Sequence, residues 1–324
     1  MNKKTNNPYI FDIKSNYNES KFIILPVPFD GTSSYRKSSQ NAPLSILQGS
    51  SQVDLFDSDF GHIYRKNIYM ERISQFVVRL NFYICKIATY LKTKHLFMDK
   101  YFILKKVNNL MTLNNNFVYE WAVNVLKDKK IPVILGGEHS VIKGVIKACV
   151  KCIENPISIL HIDAHLDMRQ SYQFLKNSHA SIIRNITKIT GNIHNIVQIG
   201  IRDFSFNEYK NVKLNSNIFV FLDKDIRKYR LLNAFYILTN NIISRLSEYI
   251  YITIDIDGLD SVYCPNTGTP VPGGLSFDQV ISIIKKIQAH NKKVIGFDIC
   301  ETSYSFNDSI VAVRLLYKII GAIK

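Results

Sequence analysis

Imidazoles and carboxylates crowd into three short segments of this 324-residue chain, each directly after an apolar run. The densest is His161-Ile162-Asp163-Ala164-His165-Leu166-Asp167. Side chains of an extended chain repeat every second residue, so alternation would put Asp163, His165 and Asp167 on one side. Asp255 and Asp257, in Ile254-Asp255-Ile256-Asp257-Gly258, repeat the arrangement at another strand end. The third segment is Leu135-Gly136-Gly137-Glu138-His139-Ser140, whose paired glycines allow a sharp turn that delivers His139 to a crevice. Taken singly, a D-x-D pair is a turn former or helix cap, and a histidine beside a glycine turn is a capping or surface residue. Taken together they are two imidazoles and four carboxylates, and unpaired carboxylates in one crevice repel unless a cation neutralises them. That is a ligand set for two metal ions. Oxygen-rich ligation with one nitrogen per ion favours Mn(II) over structural zinc, which takes Cys and His in a closed tetrahedron.

Such residues need strands that end at a common edge. Short β-branched apolar runs recur at Phe22 to Val27, Pro132 to Leu135, Ile157 to Ile162, Ile193 to Ile199, Ile218 to Leu222, Tyr249 to Ile254 and Lys293 to Phe297. Fully apolar strands are buried on both faces, which a parallel sheet flanked by helices provides. The expected fold is therefore α/β, three layers with a mostly parallel central sheet. Helices are expected at Asn115 to Asp128, Ser140 to Cys152, Ala180 to Thr187 and Phe277 to His290, the last with Ser276 as N-cap. The stretch from Gly61 to Asn114 shows no clean period. No repeat or linker interrupts the chain, so residues 1–324 read as one domain, with about the first 20 as an N-terminal extension.

Composition narrows the classes. With 46% apolar residues the chain can bury a real core, which excludes a disordered or fibrous protein. Five cysteines, an odd number at no framework spacing, argue against a disulfide scaffold. Cys149-Val150-Lys151-Cys152 is a C-x-x-C inside an expected helix with no second pair. The apolar stretches are too short or too polar to span a bilayer, and the basic start lacks an apolar signal core, so the expected location is the cytoplasm. The net charge of +15 is spread along the chain, and no RNP-like motif, zinc-finger spacing or concentrated basic helix accompanies it; a nucleic-acid partner is not expected.

Five segments, GGEHS, HIDAHLD, ITIDIDGLD, PNTGTPVPGGLS and GFDICETS, resemble in order and spacing the ureohydrolases, the arginase and agmatinase family of binuclear manganese enzymes. The run Ile24 to Leu47, ILPVPFDGTSSYRKSSQNAPLSIL, is similar to the agmatinase branch. The resemblance covers about residue 22 to the carboxyl terminus and is weakest between 61 and 114. It implies an arginase-like three-layer fold and two Mn(II) ions. One ion falls to His139, Asp163, Asp167 and Asp255, the other to His165, Asp163, Asp255 and Asp257. It also implies that Glu301 pairs with a substrate guanidinium and that His179 moves a proton near the leaving amine, with Asp167 as proton acceptor. A homo-oligomer, trimer or hexamer, follows from the same resemblance alone.

Two such ions, about 3.5 to 4 Å apart, can furnish hydroxide near neutral pH to attack the guanidinium carbon, otherwise a poor electrophile. The products would be urea and an amine. Arg169 stands where arginases carry Asn, and Ser205 where they carry an Asp that faces the substrate amine. Both departures disfavour arginine and leave agmatine, hydrolysed to putrescine and urea, as the first expectation. A guanidino acid such as guanidinobutyrate, whose carboxylate Arg169 would bind, is the alternative, with a formimidoylglutamase-like activity beside it. From another class, a basic non-catalytic binding protein would first show ligand loss, and no ligand is lost.

Overall fold

A computed structural model of the chain describes residues 9–33, 35–93 and 100–323. Its strands are β1 (Phe22–Val27), β2 (Ile68–Met70), β3 (Ile131–Gly136), β4 (Ile157–Ile162), β5 (Ile193–Ile201), β6 (Ile218–Leu222), β7 (Tyr249–Asp255) and β8 (Lys293–Cys300). Its helices are α1 (Ala42–Ser50), α2 (Gln75–Thr93), α3 (Lys100–Lys127), α4 (Lys143–Cys152), α5 (Ile182–Ile186), α6 (Phe206–Lys213), α7 (Asp223–Leu231), α8 (Phe235–Ser244), α9 (Phe277–Ala289) and α10 (Phe306–Ala322). The strands form one sheet in the order β2-β1-β3-β8-β7-β4-β5-β6, and every adjacent pair is parallel. The mostly parallel three-layer expectation holds.

Successive strand residues feed opposite layers, as the pleat requires. Phe22, Ile24, Leu160, Ile162, Ile252 and Ile254 join the core beneath α1, α7, α8, α9 and α10. Leu25, Val27, Ile134, Ile159 and Tyr251 join the core beneath α2, α3, α4 and α5. Each such side chain buried stabilises the fold by roughly 1.5–3 kcal/mol before chain entropy is counted. Ser276 caps α9 as expected, in a reciprocal capping box with Gln279.

Strands β3, β8, β7 and β4 lie side by side, although β3 and β4 are consecutive in the chain and β7 and β8 arrive much later. This insertion is a switch point of the parallel sheet, and crevices form beyond the carboxyl ends of strands at such points. Gly137 and Gly258 allow the loops there to pack. A Cβ on Gly137 would sit 1.8 Å from the Phe29 carbonyl oxygen, and one on Gly258 would sit 2.5 Å from the Asp163 amide nitrogen.

The stretch from 61 to 114, illegible in sequence, holds β2, α2 and the first half of α3. The buried stripe of α3 runs Val107, Met111, Asn114, Val118, Ala122 and Val125, a helical spacing broken to the eye by a buried asparagine. Among the described residues no helix is long and apolar enough to cross a membrane.

Candidate metal centre

The carboxyl ends of β3, β8, β7 and β4 bring together His139, Glu301, Asp255 with Asp257, and Asp163 with His165 and Asp167. Two tight turns aim the carboxylates. The His165 amide donates to Asp163 Oδ1 at 2.6 Å, and the Asp257 amide donates to Asp255 Oδ1 at 2.9 Å, the same i to i+2 turn at two strand ends. Turns, not the extended alternation expected from sequence, make these residues converge. Asp167 lies further on with φ 52°, and Glu301 has φ 59°, left-handed conformations that non-glycine residues seldom adopt and that collect at functional sites.

His139 is fully buried, and its Nδ1 lies 3.2 Å from Asp163 Oδ2, 3.3 Å from Asp167 Oδ2 and 3.7 Å from Asp255 Oδ2. Its other nitrogen, Nε2, is 2.8 Å from Thr253 Oγ1, and Thr253 gives its own proton to Asp298 Oδ1 at 2.9 Å. The hydroxyl can therefore only accept from His139, so Nε2 carries a proton, and in the neutral ring Nδ1 is the bare nitrogen. Among the described residues Nδ1 has no hydrogen-bond partner. A buried lone pair facing three carboxylates is unfavourable without a cation between them, and the donor set fits a divalent ion. Burial opposes protonation of His139, but Asp163 and Asp167 raise its pKa well above normal.

A second group of close ligand atoms comes from Asp163, His165 and Asp257, with His165 Nδ1 3.1 Å from Asp257 Oδ2 and 3.4 Å from Asp163 Oδ1. Asp163 is common to both groups. The site is short of positive charge. Burial and then Asp163 push Asp167 up to about 6; burial, then Asp257 and Asp163, raise Asp255 well above its usual range. Burial and Glu138 do the same to Glu301. Burial opposes ionisation of Asp163 too, but His161, His139 and His165 hold its pKa well below normal.

His161 joins the first group by proximity, yet both of its nitrogens are engaged. Gln198 Nε2 donates to the Leu166 carbonyl at 3.0 Å, which fixes the amide orientation, and also donates to His161 Nδ1 at 2.9 Å. His161 Nε2 must then donate to Asp163 Oδ2, 2.8 Å away. The pair orients Asp163 rather than offering a ligand. Thr253, Asp298, His161 and Gln198 as supports escape sequence reasoning, although each interrupts an apolar strand near its carboxyl end, which is the signal they leave.

The centre opens into a cavity of about 440 Å³ lined by His165, Asp167, Arg169, His179, Asp255 and Glu301, among others. Arg202 ties the surrounding loops together by donating to the carbonyls of Gly200, Asp257, Leu259 and Val271. Arg169 does not stand free at the mouth. Its Nε is 3.5 Å from Glu208 Oε2 and its guanidinium lies 5.1 Å from the centre of the Tyr172 ring.

With the metal-fitting cluster and its cleft in place, the arginase family model matches residues 20–321. The chain belongs to the arginase family. It is an arginase-family hydrolase, similar to an uncharacterized 32.2 kDa protein of Methanothermus fervidus, with 34% identity over 95% of this chain and 93% of that one. It is also similar to the N(1)-aminopropylagmatine ureohydrolase of Synechocystis, with 26% identity over 99% of this chain and 95% of the relative. Its fold matches the crystal structure of agmatine ureohydrolase of Thermoplasma volcanium at a TM-score of 0.75 and 27% identity, covering 97% of this chain and 93% of that one.

Proposed function

We propose that this arginase-family hydrolase uses two Mn(II) ions to cleave a guanidino compound whose far end is a cation, agmatine first, to putrescine and urea. The carrying observation is the buried Nδ1 of His139 ringed by three carboxylate oxygens within 3.7 Å, two of them from Asp167 and Asp255, which line a cleft that also holds Glu301. His139, Asp163, Asp167 and Asp255 would hold one ion, and His165, Asp163, Asp255 and Asp257 the other. Bound divalent ions supply Lewis acidity and water ionised near neutral pH.

Glu301 accepts the His139 amide at 2.9 Å through Oε1, which anchors the carboxylate while leaving Oε2 for substrate. A carboxyl whose pKa is raised by burial and by Glu138 gains from a guanidinium, and the charge-assisted hydrogen bonds fix the plane of the substrate. Asp167 takes up the proton released on attack. His179, lowered to about 4 by burial and by the charges of His165 and His139, is neutral at physiological pH and free to carry that proton to the departing amine.

Glu208 pairs with the Arg169 guanidinium and Tyr172 stacks against it, which lessens the repulsion of a cationic tail. Asp203, with its side chain 68% exposed, adds a carboxylate to the same wall and suits an ammonium. Arg36 and Arg169 on the lining favour a second reading, a guanidino acid. Urea release by the Mn(II)-loaded protein from agmatine, N(1)-aminopropylagmatine, guanidinobutyrate and arginine in parallel, with formamide release from formiminoglutamate, separates these. Turnover of an amine-tailed guanidine above the rest is expected. Preference for guanidinobutyrate would select the second reading, and no product from any substrate would refute both.

A further inference from the structure

We infer that Thr32, backed by Glu138, sets the tautomer and orientation of His179 and is thereby a positioning residue for proton delivery in the cleft; this rests on the proton-carrying role proposed for His179. Thr32 follows β1 in the loop Asp30-Gly31-Thr32-Ser33, buried against the cleft. Its hydroxyl lies 2.6 Å from Glu138 Oε1, and its amide donates to Glu138 Oε2 at 2.6 Å. Ser140 Oγ donates to Glu138 as well, so the carboxylate faces three donors and acts as an acceptor.

A hydroxyl has one proton and two lone pairs. With the proton of Thr32 on Glu138, both lone pairs face His179: its amide donates to Thr32 Oγ1 at 3.2 Å, and its Nδ1 lies 3.1 Å from the same oxygen. Nδ1 must then carry the ring proton. Nε2 is left as the unprotonated nitrogen of a ring that lines the cavity and packs edge-on against Tyr172 with centroids 5.5 Å apart. A bare Nε2 can accept the proton it later gives to the amine; the other tautomer could not. The loop is held from behind by α2, where buried Asn81 accepts the Asp30 amide at 2.9 Å. One hydroxyl therefore links the Glu138 turn, the β1 loop and the imidazole, and removing it frees the ring to flip and to exchange tautomers.

The test compares Thr32→Val, which keeps the shape and removes the hydroxyl, with Thr32→Ser, which restores it, at pH 8. In ¹⁵N-histidine spectra of protein loaded with diamagnetic Mg(II), His179 should show the Nδ1–H tautomer in the wild type and in Thr32→Ser, and lose it in Thr32→Val. In the Mn(II)-loaded enzyme, Thr32→Val should lower kcat about 10- to 100-fold with Mn(II) affinity and KM unchanged, and Thr32→Ser should recover most of it. A wild-type Nε2–H tautomer, or a Thr32→Val protein with unaltered tautomer and kcat, would overturn the inference. Wild-type protein silent on every guanidine but showing the Thr32-dependent tautomer would instead refute the hydrolase reading, leaving the positioning of His179 intact.

Discussion

His139 Nε2 and Thr253 Oγ1 are 2.8 Å apart, and because Thr253 gives its only proton to Asp298, the imidazole is locked with Nδ1 toward Asp163, Asp167 and Asp255. A carboxylate, a hydroxyl and an imidazole in series orient a ligand before any ion arrives. Orientation of this kind matters because partners behind a metal-binding histidine are worth about 10- to 100-fold in metal affinity.

Thr253→Val should therefore weaken Mn(II) binding by about that factor while Thr253→Ser retains it. Calorimetric titration of Mn(II) into metal-free protein measures the effect. Equal isotherms for all three proteins would mean that the tautomer of His139 is set by something else.

Asp163 stands within 3.4 Å of the His139 and His165 imidazoles, whereas the Glu301 carboxylate accepts the His139 backbone amide. Asp163→Ala should lose both ions and all activity, and Glu301→Ala should keep both ions with turnover reduced at least about 100-fold. Metal analysis after gel filtration reads the difference, and full metal retention by Asp163→Ala would contradict the shared-ligand assignment.

Metal-free protein should become less stable as pH rises through the neutral range. Burial raises Glu138 from 4.5 to about 7 and Asp298 from 3.8 to about 6. A carboxyl raised in the folded state binds its proton more tightly there than when unfolded, so stability is lost between the unfolded and folded pKa values as pH rises. His139 and His165, raised despite burial by neighbouring aspartates, act with the same sign: their contribution is complete below 6.5 and lost as pH passes their folded values. His179, lowered to about 4, opposes this only below 6.5. Mn(II) should reverse the slope, because its ligands bind deprotonated. Melting temperatures of chelated and Mn(II)-loaded protein across the range should diverge with pH; parallel curves would contradict the charge balance drawn for the centre.

Glu208→Gln should raise KM for agmatine about three- to tenfold, by leaving Arg169 uncompensated beside a cationic tail, with the low figure expected where solvent screens the half-exposed Arg169. Arg169→Ala should lower it or leave it unchanged. Steady-state kinetics on the two variants decides the matter, and a KM for agmatine that rises in Arg169→Ala would indicate that the arginine assists the substrate.

Much of this arrangement is legible in the sequence, for a physical reason. Strands buried on both faces are continuous apolar runs, and β1 and β4 begin and end where those runs do, as does the half-buried edge strand β6. Ligands sit just past such runs, so His139, Asp163, His165, Asp255 and Asp257 stand out. Two classes of residue do not. Asn81, Asn114 and Asn115 occupy buried positions of α2 and α3 and erase the helical period, which hides the whole stretch before 114. Thr253, Gln198 and Thr32 are single polar residues whose role is to hold another side chain, and nothing in their spacing reveals the partner. Convergence of Asp163 with His165 was expected from strand alternation but arises from a turn, a distinction that only the amide contact at 2.6 Å makes visible.

The +15 charge finds no place in the centre, where carboxylates dominate. The most direct test of two ions acting on a guanidine is urea release from agmatine while Mn(II) is added stepwise to metal-free protein. Activity should rise from zero and level off at two Mn(II) per chain; a plateau at one, or no urea at any ratio, would contradict a two-ion guanidino hydrolase.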